Sequence, residues 1–154
     1  MTNKLKIGVI GVGRMGSVHA RNLVQRVPQV EVVAVCDIRL DVAHSVAREC
    51  GIGIVLEDYR ELLADDRIEA VVIASSTPTH AAMIQDAAAV GKPIFCEKPL
   101  ALDLPSIDDA LDAVARTGVK LQVGFNRRFD ASFRRVREVV ASGGIGQPHI
   151  LRIT

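Results

Sequence analysis

Short apolar runs alternate with helical periods from the N-terminus almost to the end of the chain. Residues 4–11 (KLKIGVIG) are apolar on both faces and read as a buried strand. A helix follows over residues 15–27, with Gly16, Ala20, Leu23, Val24 and Val27 on one face. The same alternation predicts strands at 31–37, 53–56, 69–75, 93–97 and 119–125. It predicts helices at 41–50, 79–90 and from Pro105 to a stop at Gly118, with one or two turns opening at Asp58 and a last helix over 130–141. Gly51 and Gly91 are placed to end two of these helices. Asp58 with Glu61 resembles a capping box. In the helix at 130–141 the apolar positions are Phe133, Val136 and Val140.

Strands apolar on both faces, alternating with helices, imply parallel βαβ units with right-handed crossovers. The expected fold is α/β: a Rossmann-type doubly wound parallel sheet of about six strands with helices on both faces. A nucleotide-binding domain is expected over 1–125. The remainder, 126–154, is expected to hold a helix and then, at 147–154 (QPHILRIT), a strand-like alternation.

Composition narrows the function. Of 154 residues 49% are apolar and 24% charged, with 19 Lys plus Arg against 18 Asp plus Glu. A net charge of +1 without a basic run gives no electrostatic support for nucleic acid or a polybasic membrane role. Aromatic residues are only 3%, too few for a base-stacking platform. No apolar stretch is long enough to span a bilayer, and the glycine-broken N-terminus is no signal-peptide core. Cys36, Cys50 and Cys96 form no CxxC pair and sit in apolar segments, so they read as reduced, buried thiols of a cytoplasmic protein. No metal site is expected.

Gly11-Val12-Gly13-Arg14-Met15-Gly16 is a G-x-G-x-x-G match that follows a strand and opens a helix, with Asp37 ending the next strand 21 residues beyond Gly16. Gly11 suits a tight turn, Gly13 a close approach of backbone to pyrophosphate, and Gly16 close helix–strand packing. The helix N-terminus offers free N–H groups to phosphate. The Asp37 carboxylate can accept both ribose hydroxyls and would repel the 2′-phosphate of NADP, which favours NAD. Arg39 is the opposing signal, since a guanidinium there could hold that phosphate. A glycine turn with an acid after strand two also fits S-adenosylmethionine, though the later motifs do not.

After the fourth strand, Ser75-Ser76-Thr77-Pro78-Thr79-His80 stands where a doubly wound sheet binds ligand. Its hydroxyls could bond phosphate and ribose, or Thr77 or Thr79 could simply cap the helix with Pro78 at its first position. After the fifth strand comes Glu97-Lys98-Pro99. A lysine there would project toward the cleft and could take the proton of a hydroxyl as hydride leaves, although loop lysines are usually solvated charges.

These segments in order, GVGRMGSVHARNL, STPTHAAM, EKPLA and Gly124-Phe125-Asn126-Arg127-Arg128-Phe129-Asp130, resemble the glucose–fructose oxidoreductase, inositol dehydrogenase and rhizopine-catabolism (Gfo/Idh/MocA) family. The resemblance covers essentially the whole chain, and its texture is most similar to inositol 2-dehydrogenases. It implies an NAD-dependent dehydrogenase acting on a polyol or sugar carbinol, with Lys98 as the catalytic lysine, a cis Lys98–Pro99 bond and Glu97 beside the nicotinamide ribose. It further implies that Gly11, Val12, Gly13, Arg14, Met15, Gly16, Asp37, Ile38, Ser75, Thr77 and His80 line the cofactor. For His80 the competing reading is a surface histidine in the first turn of a helix. Arg127 would face the substrate. Asn126 stands beside it, where many inositol dehydrogenases carry a different residue.

The family has a second α/β domain that supplies further catalytic groups and most contacts of a homo-oligomer. The expectation is a chain without that C-terminal substrate domain, a truncated cofactor-binding half, inactive alone. The alternative is a non-catalytic NAD(P)-binding module or partner subunit.

Overall fold

The structure, a computed structural model, describes residues 4–152. It divides into two compact units, one ending at Gly124 and the other beginning at Phe125.

The first unit runs β1 (Leu5–Ile10), α1 (Arg14–Arg26), β2 (Val30–Cys36), α2 (Leu40–Cys50), β3 (Ile54–Leu56), α3 (Tyr59–Ala64), β4 (Ala70–Ile73), α4 (Thr77–Ala89), β5 (Ile94–Cys96), α5 (Leu104–Thr117) and β6 (Leu121–Val123). All strand pairs are parallel, in the order β3-β2-β1-β4-β5-β6. The order reverses between β1 and β4, which opens a crevice at their carboxyl ends. Every predicted element of this unit forms, but β4 and β6 are shorter than the apolar runs suggested. Each stops where its backbone leaves the ladder for a turn.

Two cores fill the faces of the sheet. Ile10, Ala34, Cys36, Ile73 and Cys96 pack with Leu62, Ile84 and Ala110 from α3, α4 and α5. Val9, Val32, Val35 and Val72 pack with Ala20 of α1 and Val46 of α2. The small residues Ala20, Ala43, Ala87 and Ala110, all fully buried, let these helices approach the strands closely. The predicted face of α1 holds at Gly16 and Ala20 but not at Val24, which is exposed. α2 and α5 end on Gly51 and Gly118 in the left-handed conformation, as expected. Asp58 accepts from the N–H of Arg60, a simple cap without the reciprocal arm of a capping box.

In the second unit a 3-10 turn (Asn126–Phe129) leads into α6 (Ala131–Ala141), and Asp130 caps it by accepting from the N–H groups of Ser132 and Phe133. Phe133 and Val136, two of the apolar positions of this helix, are exposed. The strand expected at 147–154 does not form over 147–152, where no neighbouring strand among the described residues satisfies its backbone. Ile153 and Thr154 lie outside the described residues.

Candidate functional site

The glycine-rich turn contains glycines of two kinds. Gly11 has φ +81, and a Cβ on it would lie 2.5 Å from the Cα and N of Ser75. A Cβ on Gly16 would lie 1.7 Å from the carbonyl oxygen of Gly11. Both positions are therefore required by the packing of the turn itself. Gly13 differs: its φ is −64, and a Cβ there would meet only Nη2 of Arg39, at 3.5 Å. Gly13 is also the N-cap of α1 and carries no side-chain cap, so the first N–H groups of that helix are not served by a cap. Arg14 and Met15 are exposed at this helix start. Val12 is not: its side chain is 1% exposed, in the core against α1 and α2.

Asp37 closes the turn from β2. Its Oδ2 accepts from the N–H of Val12 at 2.9 Å and its Oδ1 from the N–H of Arg39 at 3.0 Å. The Arg39 guanidinium stands 3.7 Å from Oδ1. Each carboxylate oxygen retains acceptor capacity beyond these bonds. Ile38, the next residue, is 83% exposed.

At the carboxyl end of β4, Ser76 takes the N-cap position, Thr77 the first helical position and Pro78 the second. The expectation that Thr77 or Thr79 caps this helix is corrected accordingly. The Thr79 hydroxyl donates to the carbonyl of Ser76 at 2.8 Å, and Ser75 Oγ lies 2.8 Å from Thr79 Oγ1 and 3.3 Å from Met83 Sδ. The Ser75 hydroxyl is thus engaged by α4, whereas Thr77 is half-buried at the helix start. His80 is 2% exposed, so it is not the surface histidine of the competing reading, and its ring nitrogens face backbone carbonyls: Nδ1 to Pro99 at 2.8 Å and Nε2 to Ser75 at 3.1 Å.

Past β5, the Lys98–Pro99 bond is cis and the Lys98 side chain is exposed. Glu97 is held from several sides. Its Oε1 lies 2.8 Å from Nε2 of His19, its Oε2 accepts from the N–H of Lys98 at 3.3 Å, and a Cβ on Gly124 would come within 3.2 Å of its Cδ. The His19 ring meets Phe95 edge to face, with centroids 5.2 Å apart. His19 escaped the sequence reading. The available signal was a histidine three residues after Gly16, on the α1 face that turns toward β5.

Burial pushes the thiols of Cys36 and Cys96 up to about 12 and raises that of Cys50 as well. Neutral thiols are poor nucleophiles and poor metal ligands. Among the described residues no group of three or more His, Cys, Asp or Glu is placed to hold a metal ion, and no helix is long and apolar enough to cross a membrane.

The first unit therefore brings Gly11, Gly13, Gly16, Asp37, Ser75, Glu97 and Lys98 to the carboxyl ends of its strands. Asn126 and Arg127 belong to the second unit. There the Arg127 guanidinium bonds Asp130 at 3.2 Å and lies over the Phe133 ring at 4.9 Å.

A parallel sheet with this strand order, a glycine turn at the switch point and an acid ending β2 defines a dinucleotide-binding fold. The family model described as an oxidoreductase family with an NAD-binding Rossmann fold (GFO_IDH_MocA) matches residues 5–125. The chain belongs to this Gfo/Idh/MocA family. It is 45% identical over 148 residues to a scyllo-inositol 2-dehydrogenase (NAD(+)) of Bacillus subtilis, covering 96% of this chain and 43% of that protein. It is 40% identical over 150 residues to a myo-inositol 2-dehydrogenase of Thermotoga maritima, covering 97% and 45%. Among solved structures it resembles scyllo-inositol dehydrogenase from Lactobacillus casei with bound NAD(H) and scyllo-inositol. That match has a TM-score of 0.88 and 33% identity, covering 94% of this chain and 43% of the other. The chain thus spans a little under half the length of the relatives it matches.

Proposed function

We propose that this chain is the NAD-holding part of a dehydrogenase that oxidises a ring carbinol of an inositol or a related polyol or sugar. The observation that carries this reading is Gly13. The fold does not require a glycine there, and the missing side chain leaves the backbone bare at the uncapped start of α1. A pyrophosphate needs such a cradle.

In this reading the turn at Gly11–Gly16 and the first N–H groups of α1 hold the diphosphate, with Arg14 and Met15 flanking it. Asp37 accepts the hydroxyls of the adenosine ribose, and the exposed Ile38 packs on the adenine. Thr77 and the Ser75 backbone border the second ribose, and Glu97 stands beside it. When bound, NAD supplies the carbon that accepts hydride. Lys98, exposed past the end of β5, would take the proton of the substrate hydroxyl as a neutral amine, the positive nicotinamide ring disfavouring its ammonium form. Arg127 and Asn126 are the candidate substrate residues of the second unit. The working enzyme is a cytoplasmic homo-oligomer.

Because the inositol dehydrogenases are more than twice as long, we propose that the 154 residues alone bind NAD without turning over polyols. The same coverage fits a non-catalytic NAD-binding module, and Lys98 distinguishes the two readings. NAD titration and assays on myo- and scyllo-inositol test them, using the chain alone and the chain joined to a substrate domain of a matched relative. NAD binding by the chain, and turnover by the joined protein that disappears in Lys98→Met, is the expected result. Turnover undiminished by Lys98→Met would overturn the role of the lysine, and a chain that does not bind NAD would overturn the whole reading.

A further inference from the structure

His80 bridges the two segments that leave the carboxyl ends of β4 and β5, beyond the last paired residues Ile73 and Cys96. It lies in the first turn of α4, buried to 2%, with no exposed edge from which to touch a ligand. One ring nitrogen faces the carbonyl of Ser75, the residue whose Cα and N lie against Gly11 of the phosphate turn. The other faces the carbonyl of Pro99, the residue directly after Lys98, at 2.8 Å. A continuous line of contact thus runs from the glycine turn through Ser75, the imidazole and Pro99 to Lys98. Buried carbonyls without a donor are costly, so each arm of the ring constrains the backbone it meets. A neutral imidazole donates from one nitrogen and a doubly protonated ring from both, and the shorter contact is the one to Pro99.

We infer that His80 is a positioning residue: through the Pro99 carbonyl it sets where the backbone of Lys98 sits relative to the glycine turn. The role rests on the reading of Lys98 given above, but the geometry it predicts is measurable without cofactor or substrate. The Pro99 arm fixes the segment that carries the lysine, and the Ser75 arm ties that segment to the turn.

Two near-isosteric replacements separate the arms. The amide nitrogen of asparagine reaches about as far as Nδ1, and that of glutamine about as far as Nε2. His80→Asn therefore keeps a nitrogen facing Pro99 and gives up the one facing Ser75, while His80→Gln does the reverse. The experiment records backbone amide spectra of the ligand-free 154-residue chain and both variants, with thermal melts alongside. His80→Gln is expected to displace the resonances of Lys98 and Leu100, which flank Pro99, and to leave Gly11 and Gly13 in place. His80→Asn is expected to leave Lys98 and Leu100 in place and to displace Ser75 and its neighbours. A role in stability alone would move both sets together in proportion to the loss in melting temperature. Equal displacement of Lys98 and Leu100 in the two variants, or none in His80→Gln, overturns the inference. Should either variant fail to fold, the amide spectra of His80→Phe at reduced temperature, lacking both ring nitrogens, must show Lys98 and Leu100 displaced or the inference falls. Adding NAD to the wild type tests the cofactor site separately: unmoved Gly13 and Asp37 resonances would sink the cofactor reading and leave the result on His80 standing.

Discussion

Replacing Gly13 by alanine is expected to leave the fold intact while damaging the cofactor site. The new Cβ meets nothing nearer than the Arg39 guanidinium at 3.5 Å, an ordinary contact, and φ at this position is negative. Restricting the unfolded chain stabilises by about 0.4–1 kcal/mol. Alanine is a poorer N-cap than glycine by a comparable amount, so the net change in stability is expected within about 0.5 kcal/mol. Gly11→Ala makes the contrast. It forces a side chain into the left-handed region at about 1–2 kcal/mol and drives its Cβ to 2.5 Å from the Ser75 backbone. Together with overpacking, the loss should be about 2–5 kcal/mol. Urea denaturation without cofactor measures both variants, and calorimetric titration with NAD measures the site. Gly13→Ala should weaken NAD by at least about tenfold, or about 1.4 kcal/mol, because the methyl group occupies the space a phosphate needs. If Gly13→Ala lost as much stability as Gly11→Ala, or bound NAD as well as the wild type, the division between packing and ligand glycines would be wrong.

Asp37→Asn keeps an oxygen for the Val12 N–H while removing the charge, so relative affinity should shift toward NADP by about tenfold in paired titrations. Asp37→Ala should in addition lose about 1–3 kcal/mol of stability in urea, since the Val12 amide loses its acceptor. With a thiol reagent at about pH 8, Cys50 should react first in the folded chain and Cys36 and Cys96 only on unfolding. Because burial holds Cys36 and Cys96 at about 12, the folded state keeps protons that the unfolded chain releases from about pH 9 upward. Their contribution is complete below that pH and is lost as pH rises toward 12, so urea midpoints that stay flat through this window would contradict it. Asp65 lies at about 2, lowered first by the side-chain bond from Arg67 and then by that residue's N–H. Its contribution is present above about pH 4 and lost as pH falls toward 2, and Arg67→Ala should move that loss to higher pH in acid titrations of the fold.

Much of the first unit was legible because its signals are local. Strands such as Val30–Cys36 are apolar on both faces, and glycines close the helices that follow. Glu97-Lys98-Pro99 was legible as a motif, including its cis bond. What failed depended on partners distant in sequence. Residues 147–152 alternate like a strand, but alternation states only which side chains could be buried, and a strand also needs a neighbour to pair with. Phe133 and Val136 have helical spacing, yet spacing does not supply the surface that covers them. The sequence did not single out His19, and it placed His80 in a motif without showing what its ring would meet. Their roles come from Glu97, 78 residues away from His19, and from Pro99, 19 residues away from His80.

The motifs also could not separate residues spent on the fold from residues left for a ligand. A hydrogen-bond accounting does separate them. The Val12 amide is taken by Asp37, the Ser75 hydroxyl is engaged with Thr79 and Met83, and the His80 ring is enclosed by carbonyls. Gly11 and Gly16 are required by contacts within the turn. Each of these residues belongs to the recognised pattern, yet each acts by shaping the crevice more than by offering a group to it. The bare backbone at Gly13, the exposed Ile38 and the exposed Lys98 remain available at the surface. A site residue inferred from a motif is thus a claim about position, and its chemistry follows only once its polar atoms have been assigned partners. By that criterion Gly13 and Lys98 are the positions where substitution should cost function at the least expense of fold.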